Sequence, residues 1–425
     1  MPGEKPLRST ANPTALVLGT LLLLGPAGCL GDPAESTAER AQSRGDGAAP
    51  SGDAGAPDGG AGGPGAARQE RLQELEVFYR LMQGNALGFD RDGGDWTEDM
   101  GDAPFYGAGF YARIGEQQGD PEAKSISLAA RDHNLGVLGQ AAGDASFFMA
   151  NLEEVIMASL GLIEYADATG DTGFVAELDQ IIDTANDALG IFGDYLQDTG
   201  LSSPALEVYG PTAITAAIAL LNLQYATYLD TDRVRSRIDR ALKIVAAIDA
   251  NALEIVASGQ ERYLFRSGAV DLYLYPNAMM ILVLNRLHEL TAQPEPLERA
   301  KRVFRALAPL KSAERGGYDS PYSAAVMGAT TDDYSTLSSQ NYLLLALSIL
   351  YRNTGDERYL DEALDVYDFI RYRLYDETQG VILHHWMDGR PALPEDPEHF
   401  CSGCNLQFLY VTWFFFDSVS DRDSR

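Results

Sequence analysis

From Gln69 to the C-terminus the apolar residues recur mostly at spacings of three and four, so the pattern predicts helices throughout. Two kinds of helix alternate. Runs such as NAMMILVLNRL, NYLLLALSILY and NLQFLYVTWFF are apolar on every side, while the segments between them carry one apolar stripe and one charged face. A helix with no polar face is buried all round, and one with a single stripe lies at a surface. The spacing predicts twelve helices over roughly 69–83, 105–118, 121–139, 145–168, 171–197, 210–229, 231–250, 275–291, 295–311, 334–353, 357–374 and 401–418.

The junctions repeat. QQGD (117–120), ATGD (168–171), YLDTD (228–232), AQPEP (292–296) and NTGD (353–356) each close an apolar helix and open an amphipathic one. Glycine ends a helix at little cost because it adopts the left-handed conformation, and aspartate caps the next one. A second register runs through the starts of the apolar helices: Asn277, Asn341 and Asn405 stand 64 residues apart, and Asn151 and Thr215 extend the series backwards. The amphipathic helices likewise end at turns that contain Gly200, Gly259, Gly317 and Gly380. Repeats of about 50 to 64 residues suit helical hairpins with long loops. Six inner and six outer helices make a closed double ring, an all-α (α/α)6 toroid.

This arrangement resembles the six-hairpin toroids of glycosidases, polysaccharide lyases and sugar epimerases, over residues 69 to 425. The resemblance is one of architecture, and it implies a substrate cleft at one rim of the ring. The long loops fall on one rim too, at the N-terminal ends of the inner helices, where unpaired N–H groups and helix dipoles favour oxygen-rich ligands. GGDWTEDMGDAPFYG (93–107), RYLFRSGAVDLYLYPN (262–277), GGYDSPYSAAVMGATTDDYS (316–335) and GVILHHWMDGRPALPEDPEHF (380–400) concentrate Trp, Tyr, Asp, Arg and His there. Flat rings beside carboxylates and amides are what a carbohydrate site needs, and the competing reading is that these rings pack the loops onto the barrel. The substrate-binding candidates are Trp96, Tyr273, Tyr318, His384, His385, Trp386, Gln340 and Asn341. Because an amide recurs in several hairpins, bonding the backbone of an adjacent hairpin competes with ligand binding for Gln340 and Asn341.

Asp332 and Asp333 form the sharpest acidic feature. Glycoside hydrolysis needs one protonated and one ionised carboxyl, and adjacent negative charges separate their pKa values. TTDDYS is similar to the Asp-Asp pair of one toroid mannanase family, and helix capping is the alternative role. Asp319, Asp271, Asp99 and Asp95 are possible partners from neighbouring loops. His384 or His385 would serve as acid or base near neutrality, as histidines do in the sugar epimerases that the toroid resembles. The expected activity is glycoside hydrolysis, with a non-catalytic glycan-binding protein and a sugar epimerase or isomerase as alternatives.

The N-terminus supplies an address. Lys5 and Arg8 precede an apolar run, ALVLGTLLLLG, that is too short to span a bilayer comfortably and ends at PAGC. Residues 1–28 are read as a signal peptide, and Cys29 resembles the lipidated cysteine of a bacterial lipoprotein. Residues 29–67 are almost entirely Gly, Ala, Pro, Ser, Asp and Glu, a flexible tether ahead of a domain over 68–425. The expected place is the cell envelope, anchored only through lipid. A formal charge of −30 argues against nucleic acid or anionic lipid as partners. Lipidating Cys29 leaves Cys401 and Cys404, which in an oxidising compartment are expected to form a disulfide. Zinc with His384, His385 or His399 and free redox-active thiols remain open. No cofactor is expected, and the protein is expected to be monomeric.

Overall fold

The computed structural model describes residues 64–89, 103–143, 145–196, 210–256, 258–268, 272–319, 334–387, 389–392 and 400–423. In chain order the helices are α1 (Pro64–Phe89), α2 (Ala103–Gln118), α3 (Pro121–Gly143), α4 (Ala145–Ala150), α5 (Leu152–Thr169), α6 (Val175–Ile191), α7 (Gly210–Tyr225), α8 (Thr231–Ala252), α9 (Leu274–Thr291), α10 (Pro294–Ala306), α11 (Leu337–Thr354), α12 (Glu357–Phe369) and α13 (Ser402–Asp423). Short strands lie between them: β1 (Leu253–Ile255), β2 (Glu261–Tyr263), β3 (Tyr334–Thr336), β4 (Tyr375–Asp376), β5 (Val381–Ile382), β6 (His385–Met387) and β7 (Arg390–Pro391).

The apolar set forms the inner ring. Every residue of α7 is buried, as are Leu274 to Leu287 of α9 and Leu337 to Arg352 of α11. Each inner helix packs on the next in the order α2, α5, α7, α9, α11, α13, and α13 packs on α2, which closes the ring. Glycines permit the tightest approach: a Cβ at Gly109 of α2 would lie 2.5 Å from the Cβ of Glu164 on α5, and one at Gly161 would collide with the Phe105 carbonyl. The outer helices α1, α3, α6, α8, α10 and α12 keep one wet face. In α6 the buried stripe is Leu178, Ile181, Ile182, Ala185 and Leu189, the three-and-four spacing of an amphipathic helix. Helix α1 joins α12 through Arg68 to Asp361 (2.7 Å) and Arg71 to Asp368 (2.6 Å). Among the described residues no helix is long and apolar enough to cross a membrane.

The junction signals operate as their chemistry dictates. Gly170 and Gly355 end α5 and α11 at φ +74° and +68°, and Ala292 takes the same left-handed conformation after α9. Asp120, Asp230 and Asp356 accept backbone N–H groups at the starts of α3, α8 and α12. Boundaries differ from the spacing where tertiary contacts intervene. Helix α1 runs on past Gly84 to Phe89, because Ala86 is buried and its carbonyl accepts from the Tyr111 hydroxyl at 3.0 Å. The helix expected over 145–168 breaks at Asn151, and residues 334–336 form strand β3 with Thr336 capping α11.

The 64-residue amide register is a set of clamps. Asn277 accepts from the Tyr263 N–H (2.7 Å) and donates to the Tyr263 carbonyl (2.8 Å), gripping β2 with both ends of its amide. Asn405 holds Ile382 of β5 in the same way, at 2.9 and 2.8 Å. On α11 the clamp is Gln340, which holds Tyr318 at 3.1 and 2.7 Å, while Asn341 faces α13. Thr215 does half the work, accepting from the Leu196 N–H at 3.2 Å, and Asn151 donates to the Phe147 carbonyl of α4 four residues back. Each clamp thus ties a loop that follows an outer helix to the inner helix that comes next. Removing one leaves a buried backbone N–H and C=O without that partner. Asn277→Ala is therefore expected to lower unfolding free energy by about 2–4 kcal/mol in urea titrations, against about 1 kcal/mol or less for Asn151→Ala.

Candidate functional site

The N-terminal mouth of the ring is built around a small antiparallel sheet. Strand β6 lies between β3 and β7, with Tyr334 opposite Met387, Ser335 opposite Trp386 and Thr336 opposite His385. The His384 carbonyl accepts the Leu337 N–H at 2.8 Å, which seats the sheet on the first turn of α11. Alternation along a strand sends its side chains to opposite faces. Trp386 packs toward the outer ring, 6.3 Å from Phe369, with the Arg315 and Arg373 guanidiniums each 5.9 Å from its ring. His385 lies on the other face, where Tyr334 stacks on it at 5.8 Å and 23°. His384 meets His385 edge-on at 5.8 Å.

Several expected binding residues have their polar groups engaged inside the protein. The Tyr318 hydroxyl donates to Glu362 at 2.9 Å, and burial, then the Glu362 charge, hold it well above its ordinary pKa. Both ends of the Gln340 amide are taken by the Tyr318 backbone. Asp319 pairs with Arg315 at 2.6 Å, and half-buried Tyr273 packs edge-on against Phe265 at 5.2 Å. Cys401 and Cys404 are joined as a disulfide with their Cα atoms 5.3 Å apart, at the start of α13 directly before the Asn405 clamp. Cys29, Asp95, Trp96, Asp99, Asp271, Asp332, Asp333 and His399 lie outside the described residues. Among the described residues no group of three or more His, Cys, Asp or Glu is placed to hold a metal ion.

Beyond Asn341, sequence reasoning missed a set of polar side chains buried between the inner helices. Asn341 donates to the Cys404 carbonyl (2.9 Å) and to Gln407 Oε1 (3.1 Å). The Tyr106 and Tyr342 hydroxyls are 3.5 Å apart, and Tyr275 meets Tyr342 edge-on at 4.7 Å. Arg113, Glu164, Asp167, Arg286 and Tyr410 form a charged cluster between inner helices, with the Arg113 guanidinium 4.1 Å over the Trp413 ring. Glu164 is fully buried, with the Tyr410 hydroxyl and the Arg113 guanidinium facing its carboxyl. Desolvation pushes its pKa well above the ordinary value, and the Arg113 charge only partly opposes this. Asp167 is raised to about 6, again chiefly by burial, with the Tyr228 hydroxyl hydrogen-bonded to it. The signal in the sequence was a pair of charged residues three apart within each apolar run, as in YARIGE, LIEYAD and LNRLHEL.

A second concavity, of about 530 Å³, opens on the outer ring between α6 and α8. Its charges are matched to one another, with Arg237 on Asp179 (2.6 Å) and Asp183 (2.7 Å), so it is a salt-bridged seam and not a convergent site.

No family model matches the sequence, and no curated protein matches it. Solved structures do match its fold. Cellobiose 2-epimerase from Spirochaeta thermophila superposes with a TM-score of 0.58 at 14% identity, covering 84% of this chain and 98% of that one. D-mannose isomerase gives 0.56 at 14% identity, with 81% and 97% covered. Unsaturated glucuronyl hydrolase from Bacillus sp. GL1 gives 0.56 at 11% identity, with 79% and 96% covered. The fold is that of the six-hairpin (α/α)6 toroids, and at these identities the likeness is one of fold.

The Glu164 environment sets a pH dependence. Near its ordinary value of 4.5 and below, the carboxyl is protonated folded or unfolded, and burial costs no ionisation. Above it the unfolded chain releases the proton while the folded chain keeps it, so stability falls by about 1.4 kcal/mol per pH unit up to the raised folded value. Glu164→Gln removes that loss. Its melting temperature is expected to rise above that of the parent by an amount that grows as the pH is raised above about 5, read by calorimetry.

Proposed function

We propose that the protein is a carbohydrate-active enzyme of the bacterial cell envelope that hydrolyses a glycosidic bond at the N-terminal mouth of its toroid. The observation that carries this reading is the Tyr334–His385 stack on β3 and β6. In sequence, Asp332 and Asp333 stand immediately before that strand. Both rings are buried, so the stack anchors the strand that follows the carboxyl pair, and a carboxyl pair on fixed backbone is what cleaving a glycosidic linkage requires. Adjacent negative charges favour keeping a proton on one of the two aspartates, which suits a general acid. Asp319, beside the Arg315 guanidinium, suits the ionised partner, and Asp271 is the other candidate. Fold neighbours named for work on cellobiose, mannose and unsaturated glucuronyl groups support the substrate class by analogy.

A second reading, sugar epimerisation or isomerisation, is favoured by one feature: His384 and His385 are both buried with their rings 5.8 Å apart. Two imidazoles so close can take and return a carbon-bound proton, and incorporation of deuterium from heavy water into a sugar is its marker.

Replacing both Asp332 and Asp333 by Asn is expected to reduce release of reducing ends from a polysaccharide panel by about 10²- to 10⁴-fold while binding persists. Retained hydrolysis in that variant, or no carbohydrate bound by the parent, would sink the hydrolase reading. The envelope address is tested separately. Cys29 is expected to carry a diacylglycerol thioether detectable by mass spectrometry, and Cys29→Ala to shift the protein to the soluble fraction.

A further inference from the structure

The clamps Asn277, Gln340 and Asn405 stand on helix first turns that are stiffened in different ways. In α9 that turn contains Pro276, whose ring fixes φ, and in α11 Thr336 caps it, accepting the Ser339 N–H at 3.2 Å. The first turn of α13 contains Gly403, a poor helix former, and its cap is a cysteine: Cys401 Sγ accepts the Cys404 N–H at 3.0 Å. The same sulfur is bonded to Cys404 Sγ. This turn is also a junction. The Cys401 carbonyl accepts from the Asn405 backbone N–H (3.1 Å) and side-chain amide (2.9 Å), and the Cys404 carbonyl accepts from Asn341 of α11 (2.9 Å). Asn405 in turn holds both backbone groups of Ile382 on β5. Phe400, directly before the disulfide, pairs with Leu383, and His384 and His385 come next in the chain.

A staple across Ser402 and Gly403 closes so short a loop that it restricts the unfolded chain little, and its effect is therefore local. It encloses the first intrahelical bond of α13 and so fixes where Asn405 stands. The surroundings of Cys401 favour opening as well as closure. Its sulfur lies at the N-terminus of a 22-residue helix and accepts a backbone N–H, and both stabilise a thiolate once the bond is broken. A disulfide whose reduced form is stabilised in this way is reduced more readily. Cys401 is 3% exposed and Cys404 0%, so a reductant meets Cys401 first. Proline and a threonine cap are permanent; of these three turns, the one behind the histidines is held by a bond that thiol chemistry can undo.

We propose that the Cys401–Cys404 bond is a reversible redox fastener for the mouth: oxidised, it fixes the segment that leads into His384 and His385, and reduced by a dithiol, it frees that segment while the ring stays folded. A thiolate of the reductant attacks Cys401 Sγ, the S–S bond breaks, and Cys404 leaves as a thiolate. The second thiol of the reductant then displaces Cys401. Two electrons pass from the dithiol to the cysteine pair, its two protons go to the cysteine sulfurs, and the dithiol becomes a disulfide. Without the bond, the turn over Gly403 frays, the Asn405 amide loses its fixed position and Ile382 is released. That the chemistry of the mouth changes with it rests on the carbohydrate reading above; the loosening itself does not.

The full chain is compared before and after treatment with dithiothreitol. Alkylation of the peptide that carries Cys401 and Cys404 reports the bond, and hydrogen exchange is followed in peptides around Ile382 and, as the control, around Tyr263, which Asn277 clamps. Reduction is expected to free both thiols, to lower the melting temperature by only a few degrees, and to speed exchange around Ile382 about tenfold with Tyr263 unchanged. Reoxidation reverses all three. Cys401→Ser combined with Cys404→Ala keeps a capping oxygen without the bond, and is expected to behave as the reduced parent and to ignore dithiothreitol. Release of reducing ends is expected to fall about tenfold on reduction and to return on reoxidation. Unchanged exchange around Ile382 after full reduction overturns the proposal. So does a bond that dithiothreitol opens only when the ring unfolds, or hydrolysis equal in the two redox states. If the oxidised parent hydrolyses no glycoside, the carbohydrate reading fails and the exchange measurement still decides the fastener.

Discussion

A helix that is apolar on every side must be surrounded, and the whole structure follows from satisfying that requirement six times at once. One such helix needs a bundle; six of similar length satisfy each other by standing in a ring, provided the last can pack on the first. The contact between α13 and α2 provides that closure, and Gly109 and Gly161 let α2 and α5 approach closely enough to fit. The outer helices then cover the ring with their single apolar stripes. Since all inner helices run the same way, their N-terminal ends gather at one mouth, and the loops between hairpins must cross it.

Those loops are held by amides. A side-chain carboxamide has one donor end and one acceptor end, so it can replace a strand neighbour and grip both backbone groups of a single residue. Asn277, Gln340 and Asn405 use that property to dock loop segments onto the first turns of α9, α11 and α13. The Asn405 grip and the Cys401–Cys404 bond lie next to each other in the chain, just behind the strands that carry His384 and His385. His384 and His385 thus stand on backbone that is fixed from below, the condition any accurately placed side chain needs.

Gln340 and Asn341 are neighbours in sequence and share a residue class, yet a helix points them in different directions. One meets a loop backbone, and its two ends are satisfied. The other meets a second amide across the axis, and one end of each is left over. The buried cluster of Tyr410, Glu164 and Arg113 weakens the fold around it, since taking a carboxyl out of water costs stability. A proton held on Glu164 limits the cost.

The sequence alone determined the architecture. Periodicity separated buried helices from half-buried ones, glycine and aspartate marked the junctions, and the recurring amide showed that the hairpins are copies of one unit, because these signals are local and depend on neighbours three or four residues away. Helix ends were legible only where a cap set them; α1 outran its glycine since a distant tyrosine receives the Ala86 carbonyl. Short strands were invisible, being two or three residues long and held by clamps from another hairpin. Tertiary structure alone decided which member of QN at 340–341 is the clamp, which face of β6 turns Trp386 outward, and that Arg113 and Glu164, 51 residues apart, share the axis. Those outcomes depend on the rotation of each helix about its own axis and on which helices face one another across the ring, and neither is written in any single stretch of chain.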